Sequence, residues 1–190
     1  MVESFEPRWL VLDGYEDEPA AFGVPPYVGF HVRYVCGVLE SAGLDYEYMT
    51  VDRYRQALKS DPESIAGRLK DCLGVVCIAG AVVPGKYLRG TPISLKETQT
   101  LIRSLPHGTP ALFGGWAIRG WKQQGWTPLR PNLFLAVQDT DATLYHFLEK
   151  GEWKHQRRTA EQWTAWAQAG AASKAVTCLL YTSPSPRDEL

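Results

Sequence analysis

The sequence predicts a doubly wound α/β domain around a mostly parallel, five-stranded sheet. Three observations lead there. Short β-rich apolar runs alternate with amphipathic segments about five times along the 190 residues. The run "LGVVCIAG" is apolar at nearly every position, as a strand covered on both faces must be. The long glycine- and proline-rich connections follow strands one, three and four, and right-handed crossovers bring every strand's carboxyl end to one rim.

The elements follow in order. Trp9 to Leu12 is a short β-rich run stopped by Asp13 and Gly14. In "GFHVRYVCGVLESAG" the residues Tyr34, Val35, Val38, Leu39 and Ala42 fall on one helical stripe, and Gly43 ends it. "DYEYMTV" alternates and predicts a strand near an edge. A polar helix from Asp52 to Asp71, with Tyr54, Leu58, Ile65 and Leu69 as its buried positions, is broken into two pieces by Pro62. After the strand at "LGVVCIAG", "PISLKETQTLIRSL" is helical, "TPALFGG" is a strand and "LFLAVQ" supplies the fifth. "DTDATLYHFLEKGE" turns helical. The last helix opens at Thr159, with Gln162 three residues on as in a capping box, and runs to Val176.

A chain that is 45 % hydrophobic and 22 % charged, with a net charge of -1, suits one domain with a sizeable core. Its basic residues are scattered, which argues against nucleic acid as a partner. The acidic amino terminus lacks the pattern of a signal peptide, and no stretch reaches the ~20 apolar residues of a membrane span. A cytoplasmic location with no membrane partner is the expectation. The four cysteines, at 36, 72, 77 and 178, are then expected as thiols. The final stretch, "LLYTSPSPRDEL", has two Ser-Pro steps and no buried pattern. Its RDEL resembles a retrieval signal, but no entry signal accompanies it. The stretch looks like translated sequencing-adapter DNA, so residues 1–176 are expected to form the domain and 177–190 a non-native, disordered tail.

The three connections, Gly14 to Gly29, Gly80 to Pro92 and Gly114 to Pro131, are long and rich in glycine and proline, which favours a small-molecule site at the rim. The same composition also makes ordinary tight turns. Asp13 either cradles a polar ligand or caps the amides of its own loop. Gly80, Gly85 and Gly90 allow close approach, Lys86 and Arg89 can meet an anion, and Tyr87 offers a flat wall. Trp116, Trp121 and Trp126 sit among Arg119, Lys122 and glutamines; they cover a ligand or second domain, or pack within their own loop. His31 faces the rim early in the first helix, with no second histidine to make a metal site. Dinucleotide, P-loop, nucleophile-elbow and CxxC motifs are absent, and no catalytic or metal-ligating residue is assigned.

Three stretches, "LDGYEDEPAAFGVPPY", "IAGAVVPGKYLRGTPIS" and "FGGWAIRG", recur in this order at three strand ends. Together they resemble the N-terminal domain of a group of radical S-adenosylmethionine proteins, many of them archaeal, over about Leu10 to Val176. In that group a cobalamin-binding-like α/β sandwich precedes a barrel holding a [4Fe–4S] cluster. The resemblance implies a three-layer, flavodoxin-like or cobalamin-binding-like fold with the barrel as partner. It reserves the cluster, its CxxxCxxC loop and S-adenosylmethionine for a downstream domain absent from this chain. Cobalamin is the cofactor it suggests for the chain itself. The DxHxxG pattern of many cobalamin domains is missing, so either cobalt is bound without a histidine ligand or the fold has lost the cofactor. A corrinoid would lie against Asp13, Gly14, Tyr15 and Tyr27, against Gly80, Gly85, Lys86 and Tyr87, and against Gly114, Gly115, Trp116 and Arg119. Two alternatives stand beside this accessory domain: a stand-alone flavodoxin-like module for a nucleotide or corrinoid, and a ligand-free cap on the barrel.

Overall fold

The computed structural model describes residues 7–15, 28–80, 91–127 and 130–176. Strands β1 (Trp9–Asp13), β2 (Tyr46–Thr50), β3 (Gly74–Ile78), β4 (Ala111–Gly114) and β5 (Leu133–Leu135) form one sheet in the order β2-β1-β3-β4-β5, every neighbouring pair parallel. This is the flavodoxin-like arrangement, with its switch in strand order between β1 and β3.

Alternation along the strands sends side chains to two separate cores. Val11, Val76, Ile78 and Leu112 pack with α1 (Phe30–Ser41), α6 (Thr140–Lys150) and α7 (Ala160–Ala171). Leu10, Leu12, Val75, Cys77 and Phe113 pack with α2 (Val51–Ser60), α3 (Pro62–Asp71), α4 (Leu95–Ser104) and α5 (Trp116–Gln123). Burial on both faces explains why β3 is apolar throughout. β2 is an edge strand, as expected.

Local chemistry fixes the helix ends. Asp61 accepts from the Ser64 amide and Pro62 starts α3, so the break at Pro62 is a junction between two helices. Capping boxes open α4 at Ser94 and α7 at Thr159. Two expectations need correction. Leu58 is exposed rather than buried, because the inward side of α2 is carried by Val51 and Tyr54, with Ala57 partly buried beside them. The connection after β4, read as a loop, contains α5; Gly115 supplies its entry at φ 98° without a side-chain cap, and Ile118 is its buried anchor.

α7 is additional to the five-strand alternation. Gly37 of α1 and Gly170 of α7 form its crossing with α1: a Cβ on Gly37 would lie 2.1 Å from the Trp166 carbonyl oxygen, and one on Gly170 2.0 Å from that of Arg33. The missing side chains let the two backbones touch. Cys36 and Cys77 are buried and Cys72 half-buried, all three as thiols. Among the described residues no helix is long and apolar enough to cross a membrane.

Candidate functional site at the carboxyl rim

The rim begins at the switch between β1 and β3. Asp13 ends β1 almost fully buried; its Oδ1 accepts from the Tyr15 amide at 3.0 Å and its Oδ2 from the Tyr48 hydroxyl at 3.0 Å. Of the two roles open to Asp13, the cap on its own loop is therefore present. Gly14 bridges two segments, donating to the Ile78 carbonyl at 2.8 Å and accepting from the Ile93 amide at 2.9 Å. The Ala79 amide donates to Gly114 at 2.7 Å, and the Ala117 amide donates to Ala79 at 3.2 Å. The carboxyl ends of β1, β3 and β4 are thus tied by backbone bonds.

Each rim glycine meets a demand of the chain itself. A Cβ on Gly14 would lie 2.5 Å from the Ile78 carbonyl oxygen, one on Gly80 2.8 Å from the Tyr15 ring, and one on Gly114 1.9 Å from the Thr140 hydroxyl. On Gly115 it would meet the Ala79 carbonyl oxygen at 2.4 Å, with φ already in the left-handed region. Close packing of the rim accounts for these four without a ligand. Among the described residues the rim is a backbone floor closed by these bonds and contacts. Tyr27, Gly85, Lys86 and Tyr87, the residues of the other expected walls, lie outside the described residues.

The tryptophans divide. Trp121 and Trp126 meet edge-on at 5.8 Å between centroids and pack against the α2–α5 core. Trp116 is 58 % exposed, with the Arg119 guanidinium 5.4 Å from its ring centroid. Arg119 Nε donates to the Val137 carbonyl at 2.9 Å, fixing the pair beside the end of β5.

Sequence reasoning missed an arginine clasp at the same end. Arg158, just before α7, pairs with Asp141 at 3.0 Å, and its backbone amide donates to Asp139 at 3.1 Å. Its guanidinium lies 4.4 Å from the Tyr34 ring centroid and 5.1 Å from that of Trp163. The clasp joins the starts of α6 and α7 to α1. Burial pushes the Asp141 carboxyl up to about 6, with Arg158 opposing and Asp139 reinforcing the shift. The signal in the sequence was "DTD" opening a helix, which acids favour; its arginine lies 17 residues away. His31, in the first turn of α1, has a buried Nε2 with no hydrogen-bond partner. Burial first, then Arg158, holds its imidazole below the usual value. No group of three or more His, Cys, Asp or Glu able to hold a metal occurs among the described residues.

Fold and rim together define a flavodoxin-like α/β domain. No protein-family model matches the chain. It is 40 % identical over 95 residues to an uncharacterized protein of Methanocaldococcus jannaschii, and 51 % identical over 89 residues to an uncharacterized protein of Archaeoglobus fulgidus. These stretches are 50 % and 46 % of this chain and 16 % of each relative, so the chain spans a small part of the archaeal proteins it matches. Among solved structures, a diflavin flavoprotein A3 from Nostoc sp. superposes with a TM-score of 0.39 and 12 % identity, over 93 % of this chain and 97 % of that one.

Proposed function

We propose that the chain is a ligand-binding accessory domain of a longer radical S-adenosylmethionine iron–sulfur protein, with cobalamin as its candidate ligand at the carboxyl rim. The observation that carries the ligand site is the reversal of strand order between β1 and β3, with α1 and α4 on opposite faces of the sheet; in open α/β sheets ligands bind outside the strand ends at such a switch. The radical-enzyme context is supported by the three strand-end stretches that resemble that group. In this reading the chain's own part is to bind and orient: Trp116 and Arg119 stand as an exposed flat-and-cationic pair on α5, just beyond the carboxyl end of β4. The cobalt chemistry would belong to the corrin.

Equilibrium dialysis of the purified protein against hydroxocobalamin tests the ligand. Retention of about one corrinoid per chain, weakened in Trp116→Ala, is the expected result; no retention refutes it. A second reading, a cap that holds no ligand, is favoured by the rim glycines being occupied by the chain's own atoms. It predicts no retention of either hydroxocobalamin or flavin mononucleotide. For the parent protein, anaerobic reconstitution of a full-length archaeal relative with iron and sulfide should yield [4Fe–4S] absorbance; failure to do so with folded protein counts against the radical-enzyme context.

A further inference from the structure

Two exposed indoles of the described residues each carry an arginine: Trp116 at the start of α5 and Trp163 in the first turn of α7. Arg119 Cζ lies 5.4 Å from the Trp116 ring centroid, and Arg158 Cζ 5.1 Å from that of Trp163. The pairs look alike but differ in charge balance. Arg158 is largely buried and holds both acids at the start of α6, Asp141 at 3.0 Å and Asp139 at 3.5 Å. Arg119 is exposed and has no carboxylate partner among the described residues. Its Nε donates to the Val137 carbonyl, while its two terminal nitrogens have no partner among those residues.

This difference gives Trp116 and Arg119 a capacity that Trp163 and Arg158 lack. An indole open to water gains by lying under another planar ring. A guanidinium held through Nε presents its two terminal nitrogens as a fork, and that fork matches two oxygens of a phosphate. The bond to Val137 already restricts the side chain, so little of its freedom is lost when an anion arrives. The 5.4 Å between guanidinium and indole calls for a ring and an anion joined by a short spacer, as a pentose joins base and phosphate in a nucleotide.

We infer that Trp116 and Arg119 form a subsite for a nucleotide group, with a planar base stacked on the indole and its phosphate held by the two terminal nitrogens of Arg119. The inference deepens the reading of the rim as a ligand site and rests on it, adding the class of ligand and the atoms that read it. Two sources supply such a group: a free mononucleotide, and cobalamin itself, whose benzimidazole nucleotide carries a phosphodiester that cobinamide lacks.

Backbone amide NMR titration of the full chain with AMP, with adenosine, which lacks the phosphate, and with ribose 5-phosphate, which lacks the base, tests the pair. The expected result is saturable shifts around the start of α5 and the end of β5, with AMP binding about tenfold tighter than either of the others. Arg119→Gln should bring AMP down to the level of adenosine, and Trp116→Ala should bring it down to that of ribose 5-phosphate. No saturable shift with AMP, equal affinity for AMP and adenosine, or a phosphate preference that survives Arg119→Gln would overturn the inference; the first two need no variant to fold. Dialysis against hydroxocobalamin and cobinamide then separates the sources. With AMP selectivity present, hydroxocobalamin retained about tenfold better than cobinamide assigns the subsite to the nucleotide of cobalamin. AMP selectivity with neither corrinoid retained assigns it to a free mononucleotide and removes the corrinoid reading. Equal retention of both corrinoids without AMP selectivity overturns the inference and leaves the corrinoid reading standing.

Discussion

Gly37→Ala is expected to destabilise the protein although it replaces glycine by the best helix former. In an unobstructed helix interior the change gains about 1 kcal/mol. Here the added methyl would sit 2.1 Å from the Trp166 carbonyl oxygen and 3.0 Å from its Cα. The obstacle is the backbone of α7, so no side-chain rotation relieves it, and α7 must retreat by about 1 Å. A gap of that order forfeits a quarter to a half of the dispersion energy of the contacts it opens. Buried Trp166 loses part of its packing, and overpacked sites of this kind cost ~1–3 kcal/mol. Placing the cost near the top of that range leaves a net loss of about 2 kcal/mol, or a melting temperature lower by ~4–8 °C for a chain of this size. Gly67→Ala is the matched control, with open space at its Cβ position, and should raise the melting temperature by ~2–4 °C. Thermal unfolding by circular dichroism and urea midpoints would measure both. If Gly37→Ala melts at or above the parent chain, or Gly67→Ala melts below it, the geometric reading of these glycines is wrong.

Tyr48→Phe removes the hydroxyl that donates to buried Asp13 and should cost about 1.5–3 kcal/mol, read from urea unfolding; a change under about 0.5 kcal/mol would show that the bond to Asp13 holds nothing. Asp141→Asn tests the clasp through pH. With its carboxyl at about 6 in the fold and an ordinary 3.8 when unfolded, the native state binds more protons between those values, so stability falls as pH rises through that window and is level above it. From about pH 5 to 7 this amounts to about 1 kcal/mol. His31 and His155, held low by burial, favour the fold increasingly as pH rises, and Glu97, held at about 2 by Arg55, titrates below this range. The difference between parent and variant therefore isolates Asp141. Equal pH dependence in the two chains refutes the assignment.

The parts of the fold that were legible are those in which one residue type answers one local demand. Val75 to Ile78 had to be a central strand because both of its faces are covered. Thr159 and Gln162 marked the start of α7 because a capping box is local chemistry. Strand order was different: periodicity says that strands and helices alternate but not which strands are neighbours, and the flavodoxin-like order entered through resemblance. α5 was hidden because glycines at 114, 115 and 120 outweighed the single buried Ile118. The candidate site divides along the same line. A glycine announces that a Cβ is unwelcome, yet the sequence cannot say whose atoms exclude it. At Gly14, Gly80, Gly114 and Gly115 the excluding atoms belong to Ile78, Tyr15, Thr140 and Ala79, although the same letters read as room for a ligand. At Gly67, which no periodicity singled out, nothing excludes a side chain. The same holds at Gly120 inside α5, so an open Cβ position on a helix marks ordinary surface and by itself names no ligand. The claim of the rim to a ligand therefore rests on its topology and on exposed Trp116 beside Arg119, and not on its glycines.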